Sequence, residues 1–184
     1  MAIADFDPRA LAVEAFARQG GRLAGQLALS GLDRLREMQL AGPAPAAPEV
    51  EWTARGESRP VRGGPAEVWL HLSASVRMTL QCQRCLNGVA ARLDAARSFR
   101  FVHGEAQAAA LDEQTEDDVL ALTRGLDLIE LVEDELLLAL PLVPRHEPAC
   151  PDPLPVPAAD VFLDDAPVNP FAALASLKRD GRLN

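Results

Sequence analysis

Residues Glu67 to Leu80 alternate strictly between two kinds of side chain over fourteen positions. Such a period of two indicates a β-strand whose two faces have different surroundings, one of them buried. Fourteen residues is long for a single strand, so we expect a bend or a bulge within it. The face predicted to be buried carries Val68, Leu70, Leu72, Ala74, Val76, Met78 and Leu80.

A Cys-x-x-Cys pair, Cys82 and Cys85, follows this strand directly. The dipeptide Asn87-Gly88 comes next and is a turn signal. Strand character then resumes at Val89–Leu93 and Arg97–His103. The pair is therefore expected at the tip between two antiparallel strands. A redox role is not favoured there, because a reactive Cys-x-x-Cys usually opens a helix whose N-terminus lowers the thiol pKa.

Only one other cysteine occurs in the chain, Cys150, and it lies four residues after His146. Three thiolates and one imidazole are the ligand set of a closed tetrahedral zinc site. We predict that Cys82, Cys85, His146 and Cys150 bind a structural zinc ion. The alternative is that the cysteines are small buried residues and that the histidine lies in a surface loop.

The remaining patterns predict an α+β fold, with an antiparallel sheet, or a partly closed barrel, and helices against one face or end. The clearest helix is Asp127–Leu140, with Asp127 as its N-cap and Pro141 ending it. Its acidic residues Glu130, Glu133 and Asp134 are predicted to form a solvated face opposite the apolar one. Other predicted elements are helices at Pro8–Arg18 and from Ser30 or Asp33 to Met38, and strands at Arg22–Leu29 and Glu49–Ala54.

At 184 residues the chain is predicted to be a single domain, 1–184, with a folded α+β core at 1–140. Residues 141–167 contain eight prolines in 27 positions and are expected to form an extended arm. Residues 168–184 are expected to form a C-terminal helix and tail, opened by Asn169-Pro170.

Net charge is −9, and it is unevenly distributed. Residues 1–104 carry +3, whereas residues 105–184 carry −12. The acidic second half argues against a general nucleic-acid binder, and it is either solvated or a surface for a basic protein partner. No apolar run is long enough to span a membrane. The first residues lack the features of a secretory signal, so the cytoplasm is the expected compartment.

The only cluster of basic residues lies around the Cys-x-x-Cys pair, and an RNA phosphate contact there is one interpretation. No aromatic side chains lie between these arginines to stack on bases, so a scattered, solvated face is the other. The predicted RNA-binding residues are Arg77, Arg84, Arg92, Arg97 and Arg100.

Three stretches of the chain together resemble one family. They are LQCQRCL, then LIELVEDELLLALPLVPRH followed by Cys150, and finally NPFAALASLKR. This combination resembles the bacterial YceD proteins, the large ribosomal RNA subunit accumulation proteins. Some relatives carry a second Cys-x-x-Cys knuckle near the C-terminus, where this chain has His146 and Cys150. The resemblance implies a cytoplasmic protein needed for normal accumulation of large-subunit rRNA, with no settled catalytic activity.

The prediction is therefore a non-enzymatic factor for 23S rRNA accumulation and ribosome biogenesis. It would bind rRNA, or its precursor, or a pre-ribosomal protein, and a basic ribosomal protein could contact the acidic second half. Two alternatives stay open: an RNA-processing enzyme such as a nuclease, and an adaptor that contacts only proteins.

Overall fold

The computed structural model of the chain describes residues 6–41 and 48–151. The predicted C-terminal helix and the arm from residue 152 onwards lie outside these residues. None of the helices in the described ranges is long and apolar enough to cross a membrane. The elements found there are α1 (Val13–Arg18), β1 (Arg22–Ala28), α2 (Asp33–Glu37), β2 (Glu49–Arg59), β3 (Glu67–Gln81), β4 (Gly88–Val102), α3 (Glu105–Asp112), β5 (Asp118–Ala121) and α4 (Leu128–Leu138).

The strands form one sheet in the order β1-β2-β3-β4-β5. Strands β1 to β4 pair antiparallel, whereas β5 runs parallel to β4. The predicted α+β class is confirmed, but the sheet is mixed, because α3 carries the chain across before β5 joins the edge. Strands β1 and β5 are the two edges of the described sheet, so it does not close into a barrel.

The β3–β4 hairpin is longer and more regular than expected. Its register runs without interruption from Val68 opposite Phe101 to Gln81 opposite Gly88. The predicted bulge in β3 is therefore absent from the described hairpin. The two short strands predicted after the turn are one continuous strand, β4. Strand β4 pairs with β3 from Val68 to Gln81, and β2 pairs with it from Glu67 to Ser75, which explains how a fifteen-residue strand remains regular.

Helices cover one face of the sheet. Helix α1 packs on β2 and β3, α4 packs on β3 and β4, and α2 packs against α4. Gly56 allows α1 to approach β2 closely, because a Cβ at this position would lie 2.8 Å from the backbone of Ala17. The opposite surface, called the open face below, carries the even-numbered side chains of β1 and β4 and the odd-numbered side chains of β2 and β3. Most of these side chains are exposed.

The N-terminal helix is shorter than predicted. It begins at Val13 rather than Pro8. The backbone of Leu11 exchanges hydrogen bonds with Leu126 at 2.8 and 2.9 Å, and the Ala10 N–H donates to the Asp7 carbonyl at 3.2 Å, so the residues before Val13 form a turn and a β-bridge instead of helix. This bridge connects the start of the described chain to the segment just before α4.

Helix α4 follows the sequence prediction at its N-terminus but not on its acidic face. The Asp127 carboxylate accepts the backbone N–H groups of Ile129 and Glu130 at 2.9 and 3.1 Å, as an N-cap does. The prediction of a solvated acidic face is wrong for Glu133, which is only 7% exposed. Its carboxylate accepts the Leu35 N–H at 3.0 Å and the Arg34 guanidinium at 2.9 Å. Glu133 therefore attaches α4 to α2.

Candidate metal centre

Four possible metal ligands meet beside the tip of the β3–β4 hairpin. Cys82 and Cys85 lie in the turn between the two strands, and His146 and Cys150 lie in the segment after α4. Their ligand atoms all lie within 4.8 Å of one another. The three cysteines are buried and are not joined by disulfide bonds. The structure thus brings together two pairs of residues that are some sixty positions apart in the chain.

The hairpin turn is tightly closed by backbone hydrogen bonds. The Leu86 N–H donates to the Cys82 carbonyl, and the Cys82 N–H donates to the Asn87 carbonyl, both at 2.9 Å. Leu86 has a φ of 64°, a left-handed conformation that is uncommon for a residue with this side chain. This turn directs Cys82 and Cys85 to the same side of the hairpin, where both thiols can reach one ion.

Two hydrogen bonds attach the segment after α4 to this turn. The Gln83 N–H donates to the Pro144 carbonyl at 2.8 Å. His146 Nε2 lies 3.0 Å from the Gly88 carbonyl oxygen. A carbonyl can only accept, so Nε2 carries the proton and the lone pair of Nδ1 faces the thiols. Metal-binding histidines are usually oriented in this way by a second partner.

Two separations between ligand atoms are close to the edges of a tetrahedral site. The sulfurs of Cys82 and Cys150 are 3.7 Å apart, and Cys85 Sγ lies 3.5 Å from His146 Nδ1. A tetrahedron with metal–sulfur bonds of about 2.3 Å has edges of about 3.8 Å, slightly shorter where a nitrogen replaces a sulfur. Three soft thiolates and an imidazole are also the donors that zinc prefers. The arrangement is therefore compatible with a metal site.

The protein perturbs two of the thiols in opposite directions. Burial alone would raise the pKa of Cys82, but backbone groups of Cys85, Arg84 and His146 outweigh it and lower that pKa to about 5. The pKa of Cys150 is raised to about 11 by burial and by the neighbouring Cys85 and Cys82. Without a cation, the cluster therefore favours a thiolate at Cys82 beside a thiol at Cys150, and metal binding would release the protons that remain on the thiols.

The five arginines predicted to contact RNA do not lie on one surface. Arg77, Arg92 and Arg100 project from the open face of the sheet. Arg97 projects from the side covered by helices, and Arg84 lies exposed in the turn between the cysteines. Arg77 and Arg92 are brought together, directly opposite each other in the register. RNA contact by these residues stays a prediction.

Ion pairs distinguish these arginines further. Arg77 and Arg84 form no ion pair with any residue that the structure describes. The others each have an acidic partner, at N–O distances from 2.8 to 3.3 Å: Arg92 with Asp94, Arg97 with Glu135, and Arg100 with Glu67.

Comparison with known proteins identifies the family. The family model described as "Large ribosomal RNA subunit accumulation protein YceD" matches residues 70–178, more than half of the chain. The chain belongs to the YceD family. A curated relative from Haemophilus influenzae, named large ribosomal RNA subunit accumulation protein YceD, is 36% identical over 110 residues. That match covers 56% of this chain and 62% of the relative, so the chain spans less than two thirds of the relative's length. No solved structure matches the chain.

The stretch matched to the YceD family contains all four candidate ligands and all five arginines of the sequence prediction. Two other arginines, Arg22 and Arg55, lie outside this stretch and were not among the predicted RNA-binding residues. They lie directly opposite each other on β1 and β2, on the open face. Only the pairing register of β1 and β2 brings these two arginines together. Composition and residue spacing do not reveal that register, because a long loop separates the two strands.

Proposed function

We propose that this YceD-family protein is a non-enzymatic factor for the accumulation of large-subunit rRNA, acting in the cytoplasm. It would bind rRNA, or its precursor, or a pre-ribosomal protein, during processing, protection or early assembly. The family match supports the proposal, because the family and the curated relative both carry that process in their names. Neither name describes an enzyme.

The metal centre has a structural role in this proposal. Cys82, Cys85, His146 and Cys150 would hold one zinc ion, and four protein ligands leave no open position for a reacting water. When bound, the ion joins the hairpin tip to the segment after α4. Protein purified without added metal should contain about one equivalent of zinc by elemental analysis. A content below about a tenth of an equivalent would refute the zinc assignment.

The acidic residues of α4 do not support the alternative of a nuclease. The Glu133 carboxylate is buried, and it is already hydrogen-bonded to the Leu35 N–H and to Arg34. Glu130 is exposed on the helix surface. These two side chains therefore do not converge on a common open site where a cation could be shared, as metal-dependent hydrolysis requires.

The decisive experiment measures rRNA and contacts in the same cells. Depletion of the protein should lower the ratio of large-subunit to small-subunit rRNA, and the intact chain should restore it. Ultraviolet crosslinking would then show which molecule is contacted. Recovery of large-subunit rRNA supports direct binding, whereas recovery of a ribosomal protein alone supports the adaptor alternative. An unchanged rRNA ratio after depletion would refute the proposed function.

A further inference from the structure

The open face of the sheet contains two pairs of arginines placed directly opposite each other. Arg22 on β1 is opposite Arg55 on β2, and Arg77 on β3 is opposite Arg92 on β4. Like charges in directly opposed positions of an antiparallel pair are unfavourable. In each pair one arginine has an acidic neighbour on its own strand. The other member, Arg22 or Arg77, forms no ion pair within the described ranges.

The two arginine pairs lie on either side of a shallow trough of about 850 Å³. Small side chains from four successive strands line its floor: Ala24, Thr53, Ser73 and Ala96. The hydroxyl oxygens of Thr53 and Ser73 lie 2.8 Å apart. Long side chains would normally fill an exposed sheet surface, so this row leaves room for a partner to approach the backbone.

The separation of the two pairs matches a large, regular polyanion. Six residues along β3 separate His71, the register partner of Arg55, from Arg77. At about 3.3 Å per residue this is roughly 20 Å along the sheet. Such a distance is on the scale of the width of a nucleic-acid duplex. Two facing guanidinium groups, with their forked N–H donors, are well suited to a single phosphate.

We propose that the open face binds an RNA double helix, with one backbone phosphate at Arg22–Arg55 and another at Arg77–Arg92. The Thr and Ser hydroxyls of the trough then face the shallow minor groove, where an A-form duplex exposes its 2′-hydroxyl groups. This inference rests on the proposed role in rRNA accumulation and names the form of RNA that the protein contacts.

The same surface is poorly suited to single-stranded RNA. Single strands are held mainly by bases stacked on exposed aromatic rings. Trp69, the aromatic residue of the open face, is only 5% exposed, because Arg59 lies over its ring at 4.1 Å. Two acidic side chains, Glu51 and Asp94, also line the trough. Each accepts a hydrogen bond from a neighbour, Glu51 from Gln26 and Asp94 from Arg92.

Binding to a synthetic RNA duplex of about 16 base pairs tests this proposal directly. Fluorescence anisotropy would compare the full chain with the double variants Arg22→Glu with Arg55→Glu and Arg77→Glu with Arg92→Glu. Each variant should lose about tenfold in affinity or more, and the slope of log affinity against log salt should fall by about 1. The Arg→Lys versions keep the charge but lose the forked donors, so they should keep the salt slope and bind with an affinity between those of the original chain and the Glu variants.

The matched control is Arg18→Glu with Arg36→Glu, two exposed arginines on α1 and α2, in the helical layer. This control should bind the duplex within about twofold of the original chain. Equal duplex affinity in all variants, stronger binding to the separated strand, or no duplex binding by the original chain would overturn the inference. If depletion still lowers large-subunit rRNA in that case, the proposed function stands without this surface. Variants that no longer bind a ribosomal protein but still bind the duplex would also overturn the inference that the open face binds duplex RNA.

Discussion

Removal of the proposed zinc ion should destabilise the whole protein by an amount that depends on the length of the loop it closes. An ion at this site would join Cys85 to His146, which are 61 positions apart. A cross-link that closes a loop of this length removes about 4 kcal/mol of chain entropy from the unfolded state at 25 °C. Real cross-links commonly give less than this limit, so we expect about 2–4 kcal/mol. For a chain of this size, each kcal/mol shifts the melting temperature by about 2–4 °C.

The assay is thermal unfolding of the protein before and after chelation, combined with amide hydrogen exchange. The melting temperature should fall by roughly 4–16 °C. Exchange should accelerate at the Gln83 N–H, whose acceptor is the Pro144 carbonyl, more than in the middle of α4. His146→Asn should behave like the chelated protein, and His103→Asn, an exposed histidine outside the cluster, is its matched control. Identical melting of metal-bound and metal-free protein would refute the reasoning.

Three further changes test other parts of the structure. Glu133→Ala leaves a buried backbone N–H of α2 without its acceptor and should cost about 2–3 kcal/mol in urea unfolding, whereas exposed Glu130→Ala should cost under about 0.5. Arg77→Glu removes a like-charge contact with Arg92 and should raise the free energy of unfolding by about 0.2–1 kcal/mol. A lower free energy of unfolding, measured by calorimetry, would contradict the pairing argument. The pKa of Glu57 is lowered to about 2, chiefly by its hydrogen bond with Arg59. The ionised carboxylate therefore stabilises the fold above pH 4.5, and this contribution disappears as the pH falls towards 2. Glu57→Gln should flatten the acid-unfolding curve in that window, and an unchanged curve would count against it.

Local sequence patterns were sufficient to predict features that depend only on neighbouring residues in the chain. The alternation in β3 places Leu70 and Leu72 on the buried side, and both are buried. The Asp127 cap needs only the residues that follow it. The four candidate metal ligands could be grouped without knowledge of the fold, because the chain has only three cysteines and three histidines.

Features that depend on distant partners could not be predicted in this way. Glu133 looks like a surface residue until Arg34, 99 positions earlier, is brought beside it. Strand β5 is only four residues long, and its parallel pairing with β4 depends on the α3 crossover. Arg22 and Arg55 are opposed because of the register between β1 and β2. No short turn joins these two strands, so the sequence alone does not determine that register.

The metal centre and the Arg77–Arg92 pair lie on the same hairpin, and this placement connects them. The pair is four residues from the last rung of the hairpin, Gln81 opposite Gly88, and the cysteines follow immediately. Two like charges at this end favour separation of the strands, whereas a metal bound across the turn opposes it. A tip clamped by the proposed ion would therefore allow an unfavourable pair to be kept for the proposed phosphate contact. The clamp keeps the two arginines close in metal-bound protein, whereas fraying relieves part of their repulsion in metal-free protein. The stability gained by Arg77→Glu should therefore be larger in metal-bound protein than in metal-free protein. Equal gains in the two forms would show that the clamp and the arginine pair act independently.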